Sequence, residues 1–260
     1  MSTENPAPRR RGAAFPDLGR GPAASPNPLP GMTPPHRRRA FIAFLIASGA
    51  LEFGAFTLKS GRTSPYFFNL GRFCTGPQLA ALGGFYAEAV RAVAPEATIV
   101  FGPAYKGIPL CLSTAMALSA AGGRAWGWLF NRKEEKTHGD RGLFVGQAPG
   151  PADRLVLVDD VITDGSTKLE AVRLLRAAFA VPIDALVIAF NRMERDPAGG
   201  DALAGFERAT GVPVAAICSL ADLEQALAEG LTAPAGAPPL PADLPARIAE
   251  YRRRYGLPPG

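Results

Sequence analysis

The strongest constraint on this chain is a short apolar run that ends in two adjacent carboxylates and a turn of small polar residues. Leu155–Val158 has the composition of a buried strand, Asp159 and Asp160 follow it, and residues 163–167 precede a helical pattern. A strand that leads through such a turn into a helix forms an anion site, because backbone N–H groups and the helix dipole favour negative charge there. Two carboxylates would repel phosphate alone, so they predict a ligand that also carries vicinal hydroxyls and a divalent ion, as a ribose phosphate does. The alternative is a solvated acidic turn with an ordinary helix N-cap.

The pattern around this segment predicts an α/β fold, with a central, mainly parallel sheet flanked by helices. Near-continuous apolar runs alternate with amphipathic ones, which is typical of strands covered on both faces. The predicted strands are Thr98–Phe101, Ala125–Phe130, Leu155–Val158, Ala185–Phe190 and Val214–Ile217, and the clearest predicted helices are 77–94, 107–121, 166–179 and 221–229. Such sheets bind ligands at the carboxyl ends of their strands, so candidate site residues are sought directly after each strand.

The 260 residues are enough for one well-buried α/β domain or at most two small ones. Residues 1–35 are rich in Pro, Gly, Ala and Arg without apolar periodicity, and we expect them to be disordered. Residues 36–229 form the predicted domain. Residues 230–260 form a second Pro-rich stretch followed by a short, Arg-rich helix that ends near Tyr255.

The formal net charge of +5 does not by itself indicate a nucleic-acid ligand, because much of the excess lies in terminal arginine clusters. We therefore expect no nucleic-acid partner. Arg37–Arg39 precede the apolar run 40–50 in the manner of a signal peptide, but the run is too short to cross a bilayer. We expect a first helix packed on the core, and no membrane partner. Three widely separated cysteines without metal-ligand spacing indicate thiols in a reducing, cytoplasmic compartment.

Lysine is rare in this chain: five of the 28 basic residues are lysine and the rest are arginine. Where arginine serves almost everywhere, the remaining lysines mark places that need a compact ammonium on a flexible stem. All five lie in short polar segments outside the basic tails: Lys59, Lys106, Lys133, Lys136 and Lys168.

The segment Val156–Thr167 resembles the phosphoribosyl pyrophosphate (PRPP) signature of type I phosphoribosyltransferases. The resemblance implies that Asp159 and Asp160 bind the ribose 2′ and 3′ hydroxyls. It implies that the 5′-phosphate lies in the following loop, made of Val161, Ile162, Thr163, Asp164, Gly165, Ser166 and Thr167. Asp164 departs from the pattern, since many relatives carry Ala or Thr there, and Lys168 is a plausible partner for its carboxylate.

Three further segments resemble the orotate branch of that family. Residues 56–69 are similar to its N-terminal hood, in which a lysine, here Lys59, reaches the substrates and the backbone at Phe67 and Phe68 meets orotate. The alternative is a hairpin with both phenylalanines in the core. Residues 101–107 resemble the pyrophosphate loop, with Tyr105 and Lys106 as PRPP-binding residues; the alternative is a plain strand–turn–helix connection.

The third segment, residues 130–140, resembles the mobile catalytic loop that closes over PRPP and reaches the neighbouring subunit's active site. Its candidate cationic donors are Arg132, Lys133, Lys136 and His138. A solvated, charge-rich loop is the alternative. The resemblance implies a homodimer.

Arg192 follows the strand Ala185–Phe190 and matches the family arginine that pairs with orotate, as Thr163 matches a second orotate contact; a surface arginine is the alternative. The resemblance implies an Mg²⁺-dependent orotate phosphoribosyltransferase whose catalytic residues are Lys59, Lys106, Lys136 and His138. It also implies that Mg²⁺ is held mainly through PRPP, with Asp159 and Asp160 as candidate protein ligands. Two alternatives stay open: transfer to another base, and a PRPP-sensing regulator with the same fold.

Overall fold

A computed structural model describes residues 33–58, 61–136, 142–162, 165–196 and 199–257, without the side chains of Glu135 and Lys136. Its centre is a six-stranded sheet in the order β5-β4-β3-β6-β7-β8. All neighbouring strands are parallel except β5, which pairs antiparallel with β4 at one edge. The sheet strands are β3 (Ile99–Phe101), β4 (Gly127–Lys136), β5 (Gly142–Gly146), β6 (Leu155–Asp159), β7 (Ile183–Asn191) and β8 (Val214–Ser219).

Helices cover both faces of the sheet and bury two apolar cores. Five helices contribute to the first core and two to the second. The first set is α1 (Pro35–Ala47), α2 (Gly76–Val93), α3 (Gly107–Ala120), α6 (Leu220–Ala228) and α7 (Leu244–Tyr255), and the second is α4 (Ser166–Ala178) and α5 (Ala202–Thr210). Every residue of the central strand β6 is buried: the apolar run Leu155–Val158 predicts this, and Asp159 at its end is buried as well.

A separate antiparallel hairpin precedes the sheet. Its strands are β1 (Leu51–Thr57) and β2 (Thr63–Phe68), with an irregularity between Phe53 and Phe56, and a short 3₁₀ helix at Leu70–Arg72 follows. Phe68 is buried and its ring stacks on that of Phe190 in β7, with centroids 5.9 Å apart. The hairpin is therefore attached to the domain at the carboxyl end of a central strand.

The predicted first helix is confirmed as α1. Its buried side chains, Phe41, Ile42, Leu45 and Ile46, belong to the first core. None of the helices in the described part of the chain is long and apolar enough to cross a membrane. The three cysteines are free thiols: Cys111 and Cys218 are buried and Cys74 is exposed.

The five predicted strands and the four clearest predicted helices are present, with most ends displaced by a few residues, and the predicted C-terminal helix is α7. The edge strand β5 and the short helix α5 were not predicted. The predicted end of β4 at Phe130 is wrong, because the strand continues to Lys136, which pairs with Gly142 of β5. Charged residues are typical of an edge hairpin, so polarity alone did not mark the end of the strand.

Candidate active site

The two carboxylates lie at the carboxyl end of β6, where the main chain holds them in place. Asp159 and Asp160 are both buried. The Asp159 carboxylate accepts a hydrogen bond from Asp160 N at 2.9 Å, and the Asp160 carboxylate accepts one from Val161 N at 2.7 Å. Beneath them, the buried Tyr86 hydroxyl of α2 donates to the Asp159 carbonyl at 2.7 Å. The pair is therefore fixed by its own backbone and by a helix on one face of the sheet.

Two lysines from different segments meet this pair. Lys168 Nζ, in the first turn of α4, lies 2.8 Å from Asp159 Oδ2 and 3.7 Å from Asp160 Oδ1. Lys106 Nζ, just before α3, lies 3.1 Å from Asp160 Oδ2. The Lys168 side chain is 12% exposed and that of Lys106 is 60% exposed, so one ammonium is enclosed and the other faces solvent. Burial raises the pKa of Asp159, and the neighbouring Lys168 opposes that effect.

The turn between this pair and α4 supplies a helix N-terminus. Gly165 adopts φ 75°, a left-handed conformation that glycine takes without a steric penalty, and α4 begins at Ser166. Ser166 and Thr167 are exposed, whereas Ile162 is buried in the second core, so Ile162 can offer a ligand only its backbone. Thr163 and Asp164 lie outside the described residues, and the predicted contact between Lys168 and Asp164 stays a prediction.

The loop between β3 and α3 is packed so closely that Gly102 and Gly107 leave no room for a side chain. A Cβ on Gly102 would lie 2.0 Å from the Gly107 carbonyl oxygen, and one on Gly107 would lie 2.6 Å from the carbonyl carbon of Gly102. Asn131 Oδ1 of β4 accepts a hydrogen bond from Ala104 N at 3.1 Å, and the peptide bond that follows Ala104 is cis. The loop starts at the carboxyl end of β3, inside the sheet, and leads to Lys106, whose ammonium contacts Asp160.

The first part of the predicted catalytic loop is an arm of the β4–β5 hairpin. Arg132 Nη1 donates to the Gly142 carbonyl of β5 at 2.8 Å, and Lys133 Nζ lies 5.0 Å from the centre of the exposed Tyr105 ring. Lys133 therefore lies beside the loop of residues 101–107, which includes Tyr105. His138 lies outside the described residues, as does the side chain of Lys136.

The β1–β2 hairpin brings other predicted residues to the end of β7. Phe68 is buried against Phe190, whereas Phe67 is exposed and stacks on Phe56 at 5.4 Å between centroids. The hairpin alternative is thus right for Phe68 and wrong for Phe67, because alternate residues of a strand face opposite sides. Lys59, which follows β1 in the sequence, lies outside the described residues.

Arg192 is not a surface arginine: it is buried after β7, and its Nε and Nη2 contact neighbouring side chains. Its Nε and Nη2 donate to Glu194 Oε1 at 2.9 and 2.7 Å, its Nη2 also donates to Ser64 Oγ at 3.2 Å, and its guanidinium carbon lies 4.5 Å from the Tyr66 ring centre. Burial by itself lowers the pKa of Arg192, but its electrostatic interactions with Tyr66 and Glu194 leave that pKa above the usual value. Arg192 therefore stays a cation at the hairpin's base.

No family model matches the chain. The orotate phosphoribosyltransferase of Pseudomonas fluorescens is 45% identical over 220 residues, which cover 85% of this chain and 98% of that protein. The orotate phosphoribosyltransferase of Thioalkalivibrio sulfidiphilus is 49% identical over 189 residues, 73% of this chain and 87% of that one. The chain belongs to the orotate phosphoribosyltransferase family.

Solved structures agree with that assignment. The orotate phosphoribosyltransferase of Francisella tularensis superposes with a TM-score of 0.71 and 33% identity, covering 84% of this chain and all of that one. An orotate phosphoribosyltransferase of Mycobacterium tuberculosis, crystallised with PRPP, shares the fold with a TM-score of 0.52 at 23% identity. The predicted family and fold class, an α/β fold of the type I phosphoribosyltransferase kind, are confirmed.

Among the predicted site residues, the described part of the chain places Lys106 in contact with Asp160, next to Asp159. Arg192 and Phe68 lie at the neighbouring strand end. Sequence reasoning missed three polar groups that organise these residues: Tyr86, Ser64 and Glu194. Only Glu194 carried a signal, because it lies two residues after Arg192 in a charge-rich run beyond a strand.

Within the described residues, His, Cys, Asp and Glu form no group of three that could hold a metal ion. Asp159 and Asp160 are hard oxygen ligands of the kind that Mg²⁺ prefers, but each already lies against a lysine. This donor set fits a cation whose other ligands come from a substrate.

Proposed function

We propose that this chain is an orotate phosphoribosyltransferase that transfers the 5-phosphoribosyl group of PRPP to orotate. The products are orotidine 5′-monophosphate and pyrophosphate, and the reaction is a step of de novo pyrimidine (UMP) biosynthesis. The observation that carries the proposal is the contact of Lys106 with Asp160 of the buried carboxylate pair at the end of β6. It sets a leaving-group cation beside a pair of hydroxyl acceptors, in a chain of the orotate phosphoribosyltransferase family.

Asp159 and Asp160 orient the ribose. Ionised carboxylates only accept hydrogen bonds, and the 2′ and 3′ hydroxyls of a ribose can donate to them. The turn of residues 161–167 and the first N–H groups of α4 hold the 5′-phosphate, where the helix dipole adds partial positive charge. Ser166 and Thr167, both exposed residues, add hydroxyl donors to that phosphate.

The leaving pyrophosphate is held by cations from two loops. Lys106 and Tyr105 come from the loop before α3, and the β4–β5 arm supplies the others: Arg132, Lys133, Lys136 and His138. Mg²⁺, held mainly through PRPP with Asp159 and Asp160 as candidate protein ligands, would add positive charge to the pyrophosphate. Negative charge grows on that group as its bond to the ribose breaks, so donors aimed there lower the barrier.

Orotate is held at the end of β7 beside the hairpin. Arg192 pairs with its carboxylate or carbonyl edge, the backbone at Phe67 and Phe68 contacts its ring, and Lys59 and Thr163 complete the site. The orotate ring nitrogen attacks the anomeric carbon while the bond to pyrophosphate breaks, so no covalent enzyme intermediate is needed. Positive charge develops on the ribose, and the chain acts chiefly by positioning the two substrates and by excluding water.

We infer that the chain forms a homodimer in which the β4–β5 arm acts across the interface, and that it works in the cytoplasm. The support for both is the resemblance of residues 130–140 to the family's catalytic loop, and the free thiols. Sedimentation of the purified protein, with and without PRPP, tests the dimer.

The first test of the activity is the loss of orotate absorbance with purified protein, PRPP and Mg²⁺, with each component omitted in turn. Loss that needs all of them, with formation of orotidine 5′-monophosphate, supports the proposal. Turnover of uracil or a purine base in place of orotate would keep the PRPP site and discard the orotate assignment. Tight PRPP binding without turnover of any base would favour the regulator.

A further inference from the structure

The C-terminal segment has a place in the fold that its sequence did not indicate. Leu244, Ile248 and Tyr251 of α7 are buried in the first core, and the Tyr251 ring meets the Tyr66 ring of β2 edge-on at 6.1 Å between centroids. Arg247 of the same helix donates to the Gly54 carbonyl of β1. The helix therefore packs against the hairpin that carries predicted orotate contacts.

After α7, the chain pairs with the loop that follows β7. Arg195 N donates to the Tyr255 carbonyl at 2.9 Å, and Leu257 N donates to the Met193 carbonyl at 2.8 Å, as an isolated antiparallel bridge. Gly256 between them has a steric reason, since a Cβ there would lie 2.5 Å from the Arg252 carbonyl oxygen. Residues 255–257 are thus paired with residues 193–195 of the loop through two backbone hydrogen bonds.

The loop held in this way is conformationally demanding. Met193 has φ 52°, in the left-handed region that non-glycine residues rarely adopt, at a cost of about 1 kcal/mol or more. Asn191 Oδ1 accepts a hydrogen bond from Met193 N at 2.8 Å, which closes the turn from the other side. The turn brings Arg192 and Glu194 into contact, so the Glu194 carboxylate engages two nitrogens of the guanidinium.

Glu194 also links the guanidinium to the hairpin. It accepts a hydrogen bond from the Tyr66 hydroxyl at 3.2 Å and lies 3.9 Å from Arg62 Nη1. A guanidinium has five N–H donors in one plane, so Glu194 can fix that plane while other donors serve a ligand. Its orientation is then set by two elements at once, the hairpin and the C-terminal segment.

We propose that residues 244–257 are a positioning element for the base pocket, which holds loop 192–195 so that Glu194 fixes the Arg192 guanidinium toward orotate. The inference rests on the proposed function, because it takes Arg192 as an orotate ligand. Glu194 is a positioning residue, since it acts on the substrate through Arg192. The segment should therefore affect the recognition of orotate and leave that of PRPP unchanged.

The test is Leu257→Pro, which removes the N–H that donates to Met193, with Leu257→Ala as the control that shortens the side chain but keeps the N–H. Gly256 has ψ 159°, which is compatible with a following proline. Loss of one such hydrogen bond corresponds to about a fivefold effect. We expect Leu257→Pro to raise the KM for orotate about fivefold relative to Leu257→Ala, with the KM for PRPP unchanged.

Glu194→Gln tests the second link, with Glu194→Asp as the conservative partner. Loss of hydrogen bonds between charged groups corresponds to an effect of about tenfold or more on the KM for orotate. Partial recovery in Glu194→Asp, again without change in the KM for PRPP, is the expected result. A parallel rise of both KM values in either variant would show a merely structural role and overturn the inference.

Amide hydrogen exchange gives a readout that does not need turnover. In Leu257→Pro, a peptide spanning 191–196 should exchange faster than in Leu257→Ala, while a peptide of α4 should be unchanged. Unchanged exchange at 191–196 would overturn the positioning role even if orotate is turned over. A further outcome is that the two variants differ in exchange as expected while the wild-type protein turns over no orotate. That result would overturn the proposed function and the assignment of this loop to a base pocket, not the contact between the loop and the C-terminal segment.

Discussion

Replacing Lys168 by methionine should destabilise the protein by leaving a buried carboxylate without its closest cation. Methionine keeps most of the stem and removes the ammonium, which lies 2.8 Å from Asp159 and is largely enclosed. Removing one partner of a buried ion pair costs about 3–5 kcal/mol. We expect the lower end, about 3 kcal/mol, because Asp160 keeps its contact with Lys106. For a domain of this size the melting temperature should fall by about 6–12 °C.

The assay is thermal unfolding at pH 7, followed by circular dichroism, for Lys168→Met, Asp159→Asn and the double variant. If the cost comes from the unpaired carboxylate, Asp159→Asn should recover a large part of the loss in the double variant. Lys168→Arg keeps the charge in a bulkier group and should fall between the wild type and Lys168→Met. A shift below about 2 °C in Lys168→Met, or strictly additive losses in the double variant, would refute the ion-pair reasoning.

Three further predictions concern the packing beneath the site and the arm beside it. Gly102→Ala should reduce stability and PRPP-dependent activity together, because its Cβ would lie 2.0 Å from a carbonyl oxygen. Gly84→Ala is the control: its Cβ would have nothing within 4 Å, so it should keep stability and activity in the same unfolding and rate assays. Tyr86→Phe should lower the free energy of unfolding by about 1–3 kcal/mol through loss of the buried hydrogen bond to the Asp159 carbonyl, and an unchanged urea midpoint would contradict this. Lys136→Ala should reduce the turnover number far more than the affinity for PRPP, because in the proposed mechanism residues 130–140 act chiefly on closure; an unchanged turnover number would remove Lys136 from the mechanism.

The parts of the fold that could be predicted are those in which one local pattern determines both burial and backbone. Leu155–Asp159 is buried throughout, and the apolar run Leu155–Val158 is typical of a buried strand. The edge strand β5 was missed because its pairing with β4 is a contact between two segments of mixed polarity. Likewise, the buried state of Arg192 depends on Glu194 and Ser64, and nothing within a few residues of Arg192 could have revealed Ser64.

The ion-pair partners of Lys168 could be predicted only in part from its spacing along the sequence. Its spacing of four residues from Asp164 suggests a helical pair, yet α4 begins only at Ser166, so Asp164 precedes the helix. Side chains of a helix point back toward its N-terminus, and the N-terminus of α4 faces the end of β6. That direction carries the Lys168 ammonium to Asp159, nine residues earlier in the chain, with Asp160 within 4 Å. In the proposed mechanism the enclosed Lys168 stays with the pair, and the exposed Lys106 moves from Asp160 toward the pyrophosphate. The proposal thus gives the two lysines different tasks at the same carboxylates, and it is their burial, not their sequence, that distinguishes them.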